Sequence, residues 1–221
     1  MKSALDSKLT FLKLLCIFGL AVLPWQAVAT QAATTVTNIA AGGYFSLFLE
    51  SDRSFWGMGD NNDGQLEDGT FNSALRPKKL APNDVVAIAA GFSHVLFLKS
   101  EGSLSGMGEN LQGQLGVGRF TSEISPPEEI VSTGVVAIAA GSSHSLFLKS
   151  DGSLWAMGYN SNGQLGDGAL NDINKPEEII SNGVIAISGE ASTLFLSSPM
   201  AVYGQWVRTS LANLATERPV I

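Results

Sequence analysis

The chain has 221 residues, 45% of them hydrophobic and 15% charged, with 13 basic against 20 acidic side chains for a net of −7. That apolar content excludes a disordered chain, and the acidic balance repels phosphate backbones, so nucleic acid is a poor partner. Its 24 glycines demand frequent turns, which suits many short strands better than long helices.

Residues 1–29 read as a signal peptide. Lys2, Lys8 and Lys13 supply positive charge, Leu14 to Leu23 is an uncharged, mostly apolar run, and Pro24 ends it. Ala27-Val28-Ala29 then places small side chains where a signal peptidase reads. The apolar run is about ten residues, too short to span a bilayer. The rival reading, a retained anchor helix, fits the flanks less well. Cys16 lies inside the run without the small residues that a lipoprotein signal places just before its cysteine, and reads as apolar filler. Cleavage after Ala29 removes Lys2, Lys8, Lys13 and Asp6, leaving 10 basic and 19 acidic residues, a net of −9, and no cysteine. The expected product is a secreted, periplasmic or extracellular protein without a membrane span or a disulfide.

From residue 36 onward one unit recurs. Ile39-Ala40-Ala41-Gly42 returns as Ile88-Ala89-Ala90-Gly91 and Ile138-Ala139-Ala140-Gly141; Leu47-Phe48-Leu49 returns as Leu96-Phe97-Leu98 and Leu146-Phe147-Leu148. Gly64-Gln65-Leu66 returns as Gly113-Gln114-Leu115 and Gly163-Gln164-Leu165, and the offsets are 49 and then 50 residues throughout. Within the third unit, Val135 to Ala140 is an apolar run ending at a glycine, as a buried strand would. His144 to Lys149 is a second run, closed by the turn signal Ser150-Asp151-Gly152. Leu154 to Met157 is a third strand, stopped by Gly158, and Asn160-Ser161-Asn162-Gly163 is a polar turn before Gln164-Leu165-Gly166. No helical stripe appears, so the repeat reads as all-β.

Ala-Ala-Gly-x-x-His, Asp-Gly-Ser-Leu-Trp and Asn-x-x-Gly-Gln-Leu-Gly, in that order over about 50 residues, resemble the regulator of chromosome condensation repeat. The resemblance implies a β-propeller with one four-stranded blade per repeat and seven blades in a complete ring. It implies blades over about 36–86, 87–135 and 136–184, with a partial fourth at 185–196. The founding member exchanges guanine nucleotide on a small GTPase at chromatin. An acidic chain with an export signal looks more like secreted members such as the type II β-lactamase inhibitory protein, which binds an enzyme.

The residues that could carry chemistry fit structural roles better. His94 and His144 occupy one repeat position that Phe45 fills in the first unit, and no cysteine or carboxylate cluster completes a metal site around them. Glu128-Glu129 and Glu177-Glu178 follow Pro127 and Pro176 where the first unit has Lys78-Lys79 after Pro77. A position that takes either sign reads as a solvated loop, not an acid–base pair. Asp60-Asn61-Asn62-Asp63-Gly64 puts its glycine at position five of a calcium loop and Phe71 at position twelve, so it reads as a turn. Trp56 and Trp155 share a position that Ser105 takes in the middle unit, which favours core over ligand stacking. No nucleophile elbow and no phosphate-binding loop is present. The expectation is no catalytic, cofactor or metal residue, and binding residues that the sequence does not identify.

After Val184 to Ile187 and Leu194-Phe195-Leu196 the pattern stops. Read one base earlier, the codons behind Met200 to Glu217 permit the stretch Asp151 to Gly168 at fifteen of eighteen positions, two of them forced glycines. Residues 197–221 are therefore expected to be a non-native, frameshifted tail, with a divergent terminal cap as the alternative. The whole reads as three blades and a damaged fourth, a fragment of a seven-bladed ring. Its function is to bind a protein partner through blade loops, with self-association through open blade edges. The alternatives are a structural or non-functional fragment of a larger surface propeller, and an inhibitor of a cell-wall enzyme or β-lactamase.

Overall fold

The computed structural model of the chain describes residues 34–67, 69–80, 83–189 and 194–197. The signal segment expected at 1–29 and the tail expected beyond Ser197 lie outside the described residues. The described residues form strands and turns, with no helix. The first sheet is β1 (Val36–Ala41), β2 (Phe45–Glu50), β3 (Phe55–Gly59) and β4 (Ala74–Lys79). The second is β5 (Val85–Ala90), β6 (His94–Lys99), β7 (Leu104–Asn110) and β8 (Thr121–Val131). The third is β9 (Val135–Ala140), β10 (His144–Lys149), β11 (Leu154–Gly158) and β12 (Ile173–Ile180), followed by the pair β13 (Ala186–Gly189) and β14 (Leu194–Ser197). Each sheet is an antiparallel meander in chain order. β1 packs on β5, β5 on β9 and β9 on β13, so the first strands lie side by side and the sheets stack as blades. The architecture is a partial β-propeller of three four-stranded blades and two strands of a fourth.

The repeated residues explain the stacking. In β2, Phe45, Leu47 and Leu49 are buried and alternate with half-buried Ser46, Phe48 and Glu50, the pattern of a sheet covered on one face. In β6 and β10 the first five residues are all buried, because these sheets have a neighbour on both faces. Phe45, Leu47, Leu49 and Phe55 of the first sheet pack against Ile88, Val95, Phe97 and Met107 of the second. Leu96, Leu98 and Leu104 on the second sheet's other face pack against Phe147 and Met157 of the third. Val184 and Ile187 then close on Leu146, Leu148 and Leu154. Fully burying one such leucine contributes about 2 kcal/mol, so the leucine ladder is the main adhesive of the stack.

The turns follow from Asp-Gly-Ser-Leu-Trp. The Asp151 carboxylate accepts the Ser153 N–H at 2.9 Å, and the Ser153 hydroxyl accepts the Trp155 indole N–H at 2.9 Å. Asp52, Ser54 and Trp56 repeat this at 2.9 and 2.8 Å. The Ser153 hydroxyl and N–H hold the Asp151 carboxyl below the ordinary aspartate range. The indole is thus fixed parallel to the neighbouring ring, Trp56 on Phe48 and Trp155 on Phe147, each pair with centroids 6.0 Å apart.

One expectation is corrected. Lys78-Lys79, Glu128-Glu129 and Glu177-Glu178, read as a solvated loop, lie in the fourth strands β4, β8 and β12. Trp56 pairs with Lys79, Ser105 with Glu129 and Trp155 with Glu178. A fourth strand at the outer edge has one neighbour and exposed side chains, so charge and even proline are tolerated within it.

In the first three blades the isoleucine of the first strand pairs with the phenylalanine of the second: Ile39 with Phe48, Ile88 with Phe97, Ile138 with Phe147. In the last pair, Ile187 is opposite Leu196. One residue is missing between Ile187 and Leu194-Phe195-Leu196 relative to the earlier units, and the pairing slips by one.

Candidate protein-interaction surface

Because every sheet is a meander, the loop between its first and second strands and the loop between its third and fourth lie at the same end. The Asp60 N–H donates to the Tyr44 carbonyl at 2.9 Å and joins the two kinds of loop there. The long loop is held by the asparagine of Asn-x-x-Gly-Gln-Leu. Asn110 is fully buried; its Oδ1 accepts the Leu115 N–H at 2.9 Å, and its Nδ2 donates to the Arg119 carbonyl at 2.9 Å. Asn61 does the same to Leu66 and Thr70, both at 2.8 Å, and Asn160 to Leu165 and Ala169, at 3.0 and 3.2 Å. Gln114 Oε1 accepts the Gln112 N–H at 3.1 Å within the turn, as Gln65 and Gln164 do for Asp63 and Asn162. Leu66, Leu115 and Leu165 are fully buried and tie the loop to the core.

The carbonyl that each asparagine grips belongs to the residue just before a large apolar one. Phe71, Phe120 and Leu170 follow Thr70, Arg119 and Ala169 at the repeat offsets of 49 and 50, and all three are exposed, by 51%, 52% and 64%. Tyr44, Phe92 and Leu111 are also exposed at this end. Tyr44 and Phe92 meet edge to face at 5.5 Å. The Gly43 N–H donates to the Phe92 carbonyl, and the Phe92 N–H to the Ser142 carbonyl, each at 2.9 Å, so neighbouring blades fix each other's loops. Monomer surfaces seldom hold so many large apolar side chains on one rigid end without a partner for them. The opposite end differs in character: Arg53 pairs with Asp84, and Asp52, Glu101 and Asp151 occupy the turns.

The histidines lie inside. His94 and His144 are buried at the head of β6 and β10, and His94 Nε2 is 2.9 Å from Ser145 Oγ. Each ring lies over a glycine, and a Cβ on Gly91 or Gly141 would come within 2.1 Å of it. Phe45 lies over Gly42 at the same 2.1 Å. Burial, reinforced by His144, pushes His94 down to about 3, and burial pushes His144 down to about 4. Both are therefore neutral packing groups at neutral pH. Glu128 pairs with Arg119 on the surface, and Asp60 to Gly64 is the loop that Asn61 locks. Trp56 and Trp155 are half-buried between ring and strand. Among the described residues no group of three His, Cys, Asp or Glu could hold a metal ion. In the sequence, Phe71, Phe120 and Leu170 are marked only by their constant offset, as the apolar residue five positions after the buried leucine of each loop.

Two models described as the regulator of chromosome condensation (RCC1) repeat match this chain, one at residues 36–65, 85–114 and 135–164, the other at 54–98, 101–148 and 151–191. No curated protein matches the sequence. Among solved structures, human WBSCR16 is 27% identical with a TM-score of 0.64, over 75% of this chain and 46% of that one. Prp20p from Saccharomyces cerevisiae, in a study of its binding to Gsp1p and histones, is 24% identical with a TM-score of 0.61, over 71% and 42%. Yeast RCC1 (Prp20) bound to Kap60 is 21% identical with a TM-score of 0.66, over 76% and 43%. The chain spans less than half the length of these structures. The three sheets are thus three of this family's blades, and the chain belongs to the regulator of chromosome condensation (RCC1) repeat family.

Proposed function

We propose that this protein is an exported binding scaffold that grips a protein partner through the apolar loop end of its blades. The observation that carries the reading is the exposed apolar residue repeated in three successive loops, Phe71, Phe120 and Leu170, each anchored from behind by a buried asparagine. A scaffold that repeats its core and holds exposed aromatic side chains rigidly presents preorganised anchors, which lose little entropy on binding. Protein binding by the similar Prp20 structures, to Gsp1p, histones and Kap60, supports the class of partner. The test is retention of proteins from an extracellular extract by the wild type and by variants. Phe120→Ser should weaken a retained partner by roughly tenfold, and the triple change with Phe71→Ser and Leu170→Ser should abolish retention. A partner held equally well by the triple variant would refute the loop end as the site.

Export rests on the lysines, apolar run and Ala27-Val28-Ala29 of the first 29 residues. The mass of the protein recovered from outside the cytoplasm should correspond to an N-terminus at Thr30. Recovery only from the cytoplasm with Met1 retained would overturn it.

A further inference from the structure

Charge is spread unevenly around the exposed apolar side chains of the loop end. At the seam between the first and second sheets, Asp63, Glu109 and Glu123 come together. Glu109 pairs with Glu123 just beyond the head of β6, where His94 pairs with Gly108. Asp63 belongs to the long loop of the first sheet, close enough that its charge adds to burial in raising the Glu109 carboxyl. Phe71 lies on the same seam: a Cβ on Gly64, the residue after Asp63, would meet Ser125 of β8 at 2.8 Å and the Phe71 ring at 3.3 Å. Phe120 immediately precedes Thr121, which pairs with Asn110 next to Glu109. Two aromatic anchors thus border three carboxylates.

The fold does not require these charges. Asp60, Asp167 and Asp172 accept hydrogen bonds that shape their loops. Among the described residues no side-chain hydrogen bond or ion pair engages Asp63, Glu109 or Glu123. At the same repeat positions the other units have Gln112 and Asn162, Asp60 and Tyr159, and Ala74 and Ile173. Glu67, in the same loop as Asp63, holds its Oε2 buried without a hydrogen-bond partner. The described cations lie elsewhere. Arg53, Lys99 and Lys149 are at the opposite end, and Arg76, Lys78 and Lys79 are in the outer strand β4. Arg119 is paired with Glu128, and Lys175 lies beside Gly118 at the next seam. Like charges gathered beside apolar side chains repel one another, and a cation brought by a partner relieves that repulsion.

We propose, on the strength of the loop end as the binding surface, that the seam between the first and second blades receives a cationic, apolar segment of the protein partner. Its lysine or arginine lies among Asp63, Glu109 and Glu123, and its apolar side chains lie on Phe71 and Phe120.

The probe is a fluorescein-labelled peptide of alternating lysine and leucine, titrated with the full chain at low salt and followed by fluorescence anisotropy, with a glutamate–leucine peptide as counterpart. The wild type should bind the lysine peptide and not the glutamate peptide, and added salt should weaken the binding. The triple change Asp63→Asn, Glu109→Gln and Glu123→Gln conserves shape and should weaken binding by at least about tenfold, with a similar loss for Phe120→Ser. Its melting temperature should equal or exceed that of the wild type, because repulsion is relieved. Glu177→Gln with Glu178→Gln removes charge from β12, off the seam, and should change binding by less than about twofold. Asp63→Lys with Glu123→Lys should transfer binding to the glutamate peptide. Absence of binding by the wild type, equal binding by the neutralised triple variant, or an equal loss in the β12 variant overturns the proposal. Where retention of a natural partner falls with Phe120→Ser yet survives neutralisation, the cationic segment is wrong and the loop end stands. Retention that survives both changes removes the loop end itself.

Discussion

Between pH 6.5 and pH 4 the folded chain should lose several kcal/mol of stability, and His144→Phe should recover a large part of it. The sign follows from burial. His94 and His144 are held at about 3 and about 4 in the folded chain, well below the ordinary histidine value of 6.5. Above that value neither state takes a proton and the two residues contribute nothing to pH dependence. Below it the unfolded chain takes up both protons while the folded chain refuses them, so stability falls by on the order of 1.4 kcal/mol per pH unit for each histidine. The fall continues until the folded-state values are reached. Glu67 and Glu109 act in the opposite sense, because burial raises their carboxyls, with Asp63 adding to the effect at Glu109. Phe is the apt replacement, since Phe45 already occupies the equivalent place over Gly42. Urea midpoints at pH 7.5 and pH 4.5 decide the matter: equal midpoints for the wild type, or a variant that tracks the wild type, would contradict the assignment.

Asn110→Ala should cost on the order of 3 kcal/mol, because it strands the buried Leu115 N–H and the Arg119 carbonyl together. A whole domain holds only about 5–15 kcal/mol, so this one amide is a sizeable share. Asn110→Asp keeps the acceptor for Leu115 but sets a fully buried carboxylate against the Arg119 carbonyl, and should cost at least as much as Asn110→Ala. The loss should also reach the surface, since Phe120 follows the carbonyl that Asn110 grips. Chemical denaturation measures the first effect and partner retention the second. A loss below about 1 kcal/mol would mean that burial of Leu115 alone holds the loop.

The inner three strands of each blade were legible because each carries a run of apolar residues and ends at a glycine or at a turn that opens with a serine and an acidic residue, as in Ser51-Asp52, Ser100-Glu101 and Ser150-Asp151. Val135 to Ala140 and His144 to Lys149 are strands with those bounds, and the third runs one residue further, to Gly158. The fourth strands escaped because an outer edge needs no alternating pattern: in β12, Pro176, Glu177 and Glu178 take part without a buried face to select them. Asn61, Asn110 and Asn160 were visible as repeated turn residues, while their grip on the residue before each exposed apolar side chain required the fold. Phe71, Phe120 and Leu170 were passed over for a related reason. An apolar residue in a polar loop carries meaning only once its exposure is known.

Each sheet draws its hydrogen-bonded strands from one uninterrupted stretch of chain, and each stretch differs from the next by 49 or 50 residues. Gain or loss of one whole unit by unequal recombination between repeated copies therefore severs no strand pairing inside any sheet. It shifts only which unit meets which across the stack. Because every unit projects and receives the same kinds of side chain, the new neighbours fit as the old ones did. The blade is thus a unit of inheritance as well as of folding, and the number of blades can change in one genetic step while the loop carried by each is free to diverge.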